Sequence, residues 1–175
     1  MLHKLRSIEG FPSICNAPLS HLGMDDLDEK HPAILFHEYW MRLGNGQVPE
    51  KVKFRPADVP SILKWLMIFR AEPTDAGYSY FVHLQGTSAR DMTSGLLEGK
   101  FLEEFTFGDC LTSRQTAMDS ILEHGTPGFG RVELNEGSEF SSNVTVGMFP
   151  LITEIGEHFI FSVVAPETLS LRALF

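Results

Sequence analysis

The stretch that decides the fold is Arg55-Pro56-Ala57-Asp58-Val59-Pro60-Ser61-Ile62-Leu63-Lys64-Trp65-Leu66-Met67-Ile68-Phe69, followed a few residues later by Tyr78-Ser79-Tyr80-Phe81-Val82-His83-Leu84-Gln85-Gly86-Thr87. Prolines at 56 and 60 bound a short helix over Asp58 to Lys64, because a proline deeper in a helix removes a donor and clashes with the preceding turn. Trp65 to Phe69 has no polar position, and a strand that is apolar on both faces has to be covered on both. In the second run Tyr80, Val82 and Leu84 alternate with Ser79, Phe81, His83 and Gln85, the two-residue period of a strand. With Glu72 to Gly77 as the turn, the two strands form a hairpin.

Upstream of this hairpin, Leu35, Phe36, Tyr39, Trp40 and Leu43 recur at three- and four-residue steps from Pro32, which suits a first helical turn, to Gly44, which suits a stop. This aromatic stripe has to be buried, against the chain's own sheet or against a second copy, so these five residues are interface candidates and a homodimer is expected. Residues 1–30 hold Gly10, Pro12, Pro18 and Gly23 and an acidic cluster at Asp25, Asp26, Asp28 and Glu29, and they read as an irregular N-terminal arm. Residues 31–175 read as one domain that includes the N-terminal helix.

Downstream, Gly86 to Phe107 reads as short helical turns separated by Gly95 and Gly99. A longer helix follows from about Asp109, its N-cap candidate, to His124, with Leu111, Ala117, Met118, Ile121 and Leu122 as its stripe and Gly125 as C-cap. Three further strands are expected at Phe129 to Leu134, Asn143 to Glu154 and His158 to Ala165, the last two joined at Ile155-Gly156-Glu157. The order of elements implies an α+β fold, a five-stranded antiparallel sheet with the helical segment on one face and the N-terminal helix free for the other.

The chain has 175 residues, about one domain, with 43% hydrophobic and 21% charged residues, which excludes a disordered or collagenous chain. A net charge of −9 repels a phosphate backbone and argues against nucleic acid as a partner. The longest apolar run falls far below the roughly 20 residues of a membrane span, and Met1 to Ile8 lacks the apolar core of a signal peptide. Two widely spaced cysteines, Cys15 and Cys110, suit a reducing compartment, so a cytoplasmic location is expected.

Chemistry is sparse. None of the seven His lies in a His-x-x-x-His pair, so no metal site is expected. There is no Gly-x-Ser-x-Gly elbow, and Gly125 to Gly130 precedes a strand instead of opening a helix, which removes the geometry of a phosphate loop. The carboxylate pairs Glu103 with Glu104 and Glu154 with Glu157 read as solvated. His83 is the polar candidate: it reads as a histidine hydrogen-bonded under the N-terminal helix or at an interface, with a haem ligand or pH switch as the sharper alternative.

Arg55-Pro56-x-Asp58-Val59-Pro60-x-Ile62-Leu63-x-x-Leu66, then Leu84-Gln85-Gly86-Thr87, then Phe149-Pro150-Leu151 before a turn, resemble a bacterial PAS-like domain family of short, single-domain alphaproteobacterial proteins. The likeness runs from about Pro32 to Ala165, roughly three quarters of the chain. It departs from the family at His83, where Arg is common, and at Arg90-Asp91-Met92-Thr93-Ser94-Gly95, where a Gly-Asp-x-Thr-Gly type of segment is usual. The resemblance implies a PAS-like sensory or regulatory module with a cavity between sheet and helical segment, and it implies no reaction.

A pocket there would be lined by Tyr80, Val82, Met92, Leu96, Phe101, Phe105, Met118 and Phe161, although the same side chains would fill a closed core equally well. The sequence requires no cofactor, haem or flavin being the classes such a cavity could hold. The expected function is therefore a non-enzymatic module that binds a small ligand or an unidentified signalling protein and acts by protein contact. The alternative is a small cone-shaped α+β enzyme or carrier of an apolar metabolite.

Overall fold

A single antiparallel sheet of six strands organises the protein: β1 (Leu19–His21), β2 (Leu66–Thr74), β3 (Gly77–Gln85), β4 (Gly128–Asn135), β5 (Ser141–Ile152) and β6 (His158–Pro166), in the spatial order β1-β4-β5-β6-β2-β3. The computed structural model describes residues 14–93, 95–135 and 141–171. Among the described residues three α-helices complete the fold: α1 (Pro32–Gly44), α2 (Thr87–Thr93) and α3 (Gly108–His124).

The two apolar strands determine the layering. On β2, Leu66 and Ile68 face α1 while Met67 and Phe69 face α2 and α3; on β6, Phe159, Phe161 and Val163 face α1 while Ile160 and Val164 face the other way. Each face thus carries its own core, and the sheet is sandwiched between α1 and the helical segment.

Helix α1 is the cover of one face. Phe36, Tyr39 and Trp40 are buried in the chain's own core, Leu35 and Leu43 half-buried beside it. The Trp40 indole N–H donates to the Pro150 carbonyl at 2.8 Å, and Phe36 packs edge-on against Phe149 at 4.8 Å. The stripe read as an interface is therefore spent within the subunit. His31, fully buried, caps this helix: its Nδ1 accepts from the Ala33 N–H at 3.1 Å and its Nε2 bonds the Pro166 carbonyl at 3.0 Å. Burial pushes the His31 pKa below its ordinary value, which favours the neutral ring that this cap needs. The helix ends at Gly44, where the sequence placed its stop, and Asn45 just beyond takes the left-handed capping conformation (φ 51°), a role that Asn fills after Gly.

The hairpin is longer and tighter than its sequence suggests. Strand β2 continues through Pro73 to Thr74 and turns at residues 75–76 instead of over Glu72 to Gly77. Pro73 is tolerated because β6 stops pairing with β2 at Ala71, opposite His158, so Pro73 has only β3 as a neighbour. Pro150 stands in the same situation on β5, past Met148, where β4 has ended.

The short helix expected over Asp58 to Lys64 is instead two 3₁₀ turns, Pro56–Asp58 and Leu63–Trp65. Val59, before Pro60, is held out of helical geometry (φ −136°, ψ 48°), as a residue preceding proline tends to be. Asp109 is not the N-cap of α3 either; the helix begins at Gly108, and Phe107 caps it without a side-chain bond.

The arm is the largest departure. Residues 1–13 lie outside the described region, but 14–30 are built into the fold: β1 pairs with β4, Leu19 opposite Val132, and Ile14, Cys15, Leu22 and Leu27 are buried. Gly130 makes room for this strand, since a Cβ there would sit 2.5 Å from the Leu19 side chain.

Candidate functional site

Between the sheet and the helical segment the side chains leave an apolar cavity of about 50 Å³. Strand alternation aims Met67 and Phe69 of β2, Val146 and Met148 of β5 and Val164 of β6 into it. Helix α3 supplies Met118 and, four residues earlier on the same face, Arg114. Leu102 and Phe105 close the side, and Ile14 and Cys15 form the roof.

The roof is latched by side chains. Thr106 Oγ1 donates to the Cys15 carbonyl at 2.9 Å, and the Leu19 N–H donates to Ser113 Oγ at 3.0 Å. Arg114 does most of the holding: Nη1 donates to the carbonyls of Ala17 (2.8 Å) and Cys110 (3.0 Å), and Nη2 donates to the carbonyl of Ile14. Among the described residues the ion pairs are Arg70 with Glu72 and Arg131 with Glu167, so no carboxylate compensates this guanidinium. Burial lowers its pKa, and the groups opposing that shift are the thiols of Cys15 and Cys110.

Of the eight pocket candidates, Phe105 and Met118 line the cavity. Tyr80, Val82 and Met92 belong to the same core but do not border it; the Tyr80 hydroxyl donates to Asp119, tying β3 to α3, and burial raises its pKa far above the usual phenol range. Phe101 stacks edge-on against Phe81 at 5.2 Å, and Leu96 is exposed. Phe161 points to the opposite face, where it meets Phe54 and Phe36. It cannot line a cavity with Met118, because adjacent strand positions alternate faces. His83 is exposed at the sheet edge, its ring edge-on to Phe159 at 5.9 Å, and is under neither α1 nor the cavity.

The roles of the motif residues are architectural. A Cβ on Gly86 would lie 2.5 Å from the Lys64 carbonyl and 2.6 Å from that of Leu63, so the Gln-Gly-Thr step lets the β3 end pass the 3₁₀ turn. Gln85, buried, holds the α2 loop: its Nε2 donates to Thr93 Oγ1 at 2.7 Å and to the Gly95 carbonyl at 3.1 Å, and its Oε1 accepts from Leu97 N–H at 2.8 Å. Asp58 accepts from the Tyr39 hydroxyl at 3.2 Å, which fastens the Arg-Pro-x-Asp segment to α1.

Arg114 is the residue that sequence reasoning missed. Its signal was legible, since it falls three after Leu111 and four before Met118, a cation inside the apolar stripe of α3. Among the described residues no group of three or more His, Cys, Asp or Glu side chains is placed to hold a metal ion, and no helix is long and apolar enough to cross a membrane. Comparison of the chain with protein-family models, curated proteins and solved structures returned no match.

Proposed function

We propose that this protein is a non-enzymatic, PAS-like regulatory module that binds a small ligand in the cavity between its sheet and its helical segment and passes the signal by protein contact. The observation that carries this reading is the layout around the cavity. Counted from Leu66, the five long strands lie in the order 2-1-5-4-3, with α2 and α3 both inserted between the second and the third. This layout, with the helical segment on one face of the sheet and an apolar cavity between them, supports the PAS-like reading.

The catalytic alternative has little to start from. Of the polar side chains at the cavity, which also include Cys15 and Ser162, Thr93 and Arg114 already bond to backbone carbonyls, and none of the described carboxylates lines it. A cavity of about 50 Å³ suits a ligand of a few heavy atoms, given that one water needs on the order of 10–15 Å³ of such space. A haem or flavin would have to displace the roof. Homodimer formation loses its motive once the α1 stripe is covered by the chain's own sheet.

Native mass spectrometry of freshly purified protein, together with xenon binding, tests the reading. A retained small mass, or saturable xenon uptake abolished by filling the cavity with Val146→Phe, is expected. No retained mass and no xenon uptake would contradict it.

A further inference from the structure

We propose that the ligand is a short-chain monocarboxylate, its apolar tail in the cavity and its carboxylate on Arg114. This rests on the ligand-binding reading above and names the chemical class that the same cavity would take.

The argument starts from the guanidinium. Arginine carries five N–H donors and stays charged under all conditions in which proteins fold. In α3, Arg114 gives three contacts to carbonyls and, among the described residues, none to a carboxylate. Arg114 is half-buried; a cation partly withdrawn from water costs free energy to the extent that no anion compensates it, and carbonyl dipoles do so only in part. The Nε–H, which forms the bidentate edge of the fork together with Nη2, makes no hydrogen bond among the described residues. That edge matches a carboxylate.

The rest of the site selects the tail. Beyond Arg114 the walls are mainly Met67, Phe69, Met118, Val146 and Met148, and the other hydrogen-bonding side chains there, Cys15, Thr93 and Ser162, carry no charge that could pair with a second ionic group. A dicarboxylate or an amino acid would bury an unpaired charge among them, whereas an unbranched or branched alkyl chain would not. The size of the cavity restricts that chain to a few carbons. The same geometry couples binding to the roof. A carboxylate engaging Nη2 competes with the carbonyl of Ile14, so occupancy loosens the latch between α3 and the segment that leads into β1.

The test is calorimetric titration of the full chain with two matched series, the straight-chain carboxylates from acetate to octanoate and the primary alcohols of the same length. Wild type, Arg114→Met and Val146→Phe are compared, with folding checked by circular dichroism. The expected result is at least tenfold tighter binding of a three- to six-carbon carboxylate than of its alcohol. That preference should collapse in Arg114→Met, and Val146→Phe, which keeps the guanidinium, should abolish binding of both. If alcohols and carboxylates bind wild type equally, or Arg114→Met keeps the preference, the carboxylate assignment falls while the ligand cavity stands. If neither series binds at all, the ligand-binding reading falls with it. Should Arg114→Met fail to fold, Val146→Phe decides: carboxylate binding that survives the filled cavity overturns the proposal.

Discussion

Phe161→Ala separates the two faces of the sheet. The ring is 1% exposed, 4.9 Å from Phe54 and 6.4 Å from Phe36, and it lies under α1 on the side away from the cavity. Truncation there removes a ring from a filled core, for which losses of about 3–5 kcal/mol are typical; the enclosure by two aromatic neighbours on one face puts the expected value at about 4 kcal/mol. With a urea m-value of about 2 kcal/mol/M, that is a fall of about 2 M in the unfolding midpoint. Met118→Ala is the control. It also empties core space, but part of its surroundings is void already, so fewer contacts are lost and about 2 kcal/mol is expected. Equilibrium urea unfolding followed by fluorescence reads both, and ligand or xenon titration is run alongside. Phe161→Ala should lower stability and leave cavity binding unchanged. A loss under about 1 kcal/mol, a loss smaller than that of Met118→Ala, or altered cavity binding would refute the assignment of Phe161 to the α1 face.

Gly86→Ala should destabilise by about 2 kcal/mol or more, measured by the same unfolding, because its Cβ would meet two backbone carbonyls that cannot swing aside. Trp40→Ala should cost about 3–5 kcal/mol by urea unfolding, with no change in subunit mass by sedimentation; dissociation of a stable dimer would instead make α1 an interface. Stability should fall with acid below about pH 6.5, the ordinary histidine value, since the folded His31 and His37 pKa values both lie lower and the unfolded chain takes up protons first. The loss, up to about 1.4 kcal/mol per pH unit and per group, continues until the folded values are passed. His31→Asn, which keeps a cap acceptor and cannot titrate, should flatten that decline in denaturation curves taken from pH 7.5 to 5.

How far the fold was legible depended on which signals were local. Residues apolar on both sides of a strand, as in Trp65 to Phe69 and Phe159 to Val164, announced a two-sided sheet, and α1 supplied the second cover. Proline was misleading in β2, because a strand tolerates Pro73 wherever its neighbour ends, and that depends on the length of β6, a distant part of the chain. The arm was misread for a similar reason. Leu19 to His21 is too short to show a period and becomes a strand only through pairing with β4 more than a hundred residues away. In the site, parity decided. Phe161 was grouped with Met118 by composition, yet it is Ile160 and Val164 whose positions face the helical side. Arg114 went unnoticed because a cation in a stripe reads as a solvated interruption until the roof that it holds is in view.

The cavity itself is tested most directly by methyl NMR of protein labelled at the methionine ε-carbons. Met67, Met118 and Met148 border the cavity, whereas Met24 and Met41 are exposed elsewhere. Under xenon or a short-chain ligand, saturable shifts at the first three with Met24 and Met41 unmoved are expected. Unmoved cavity methyls, or shifts as large at Met24 and Met41, would contradict a ligand site between the sheet and the helical segment.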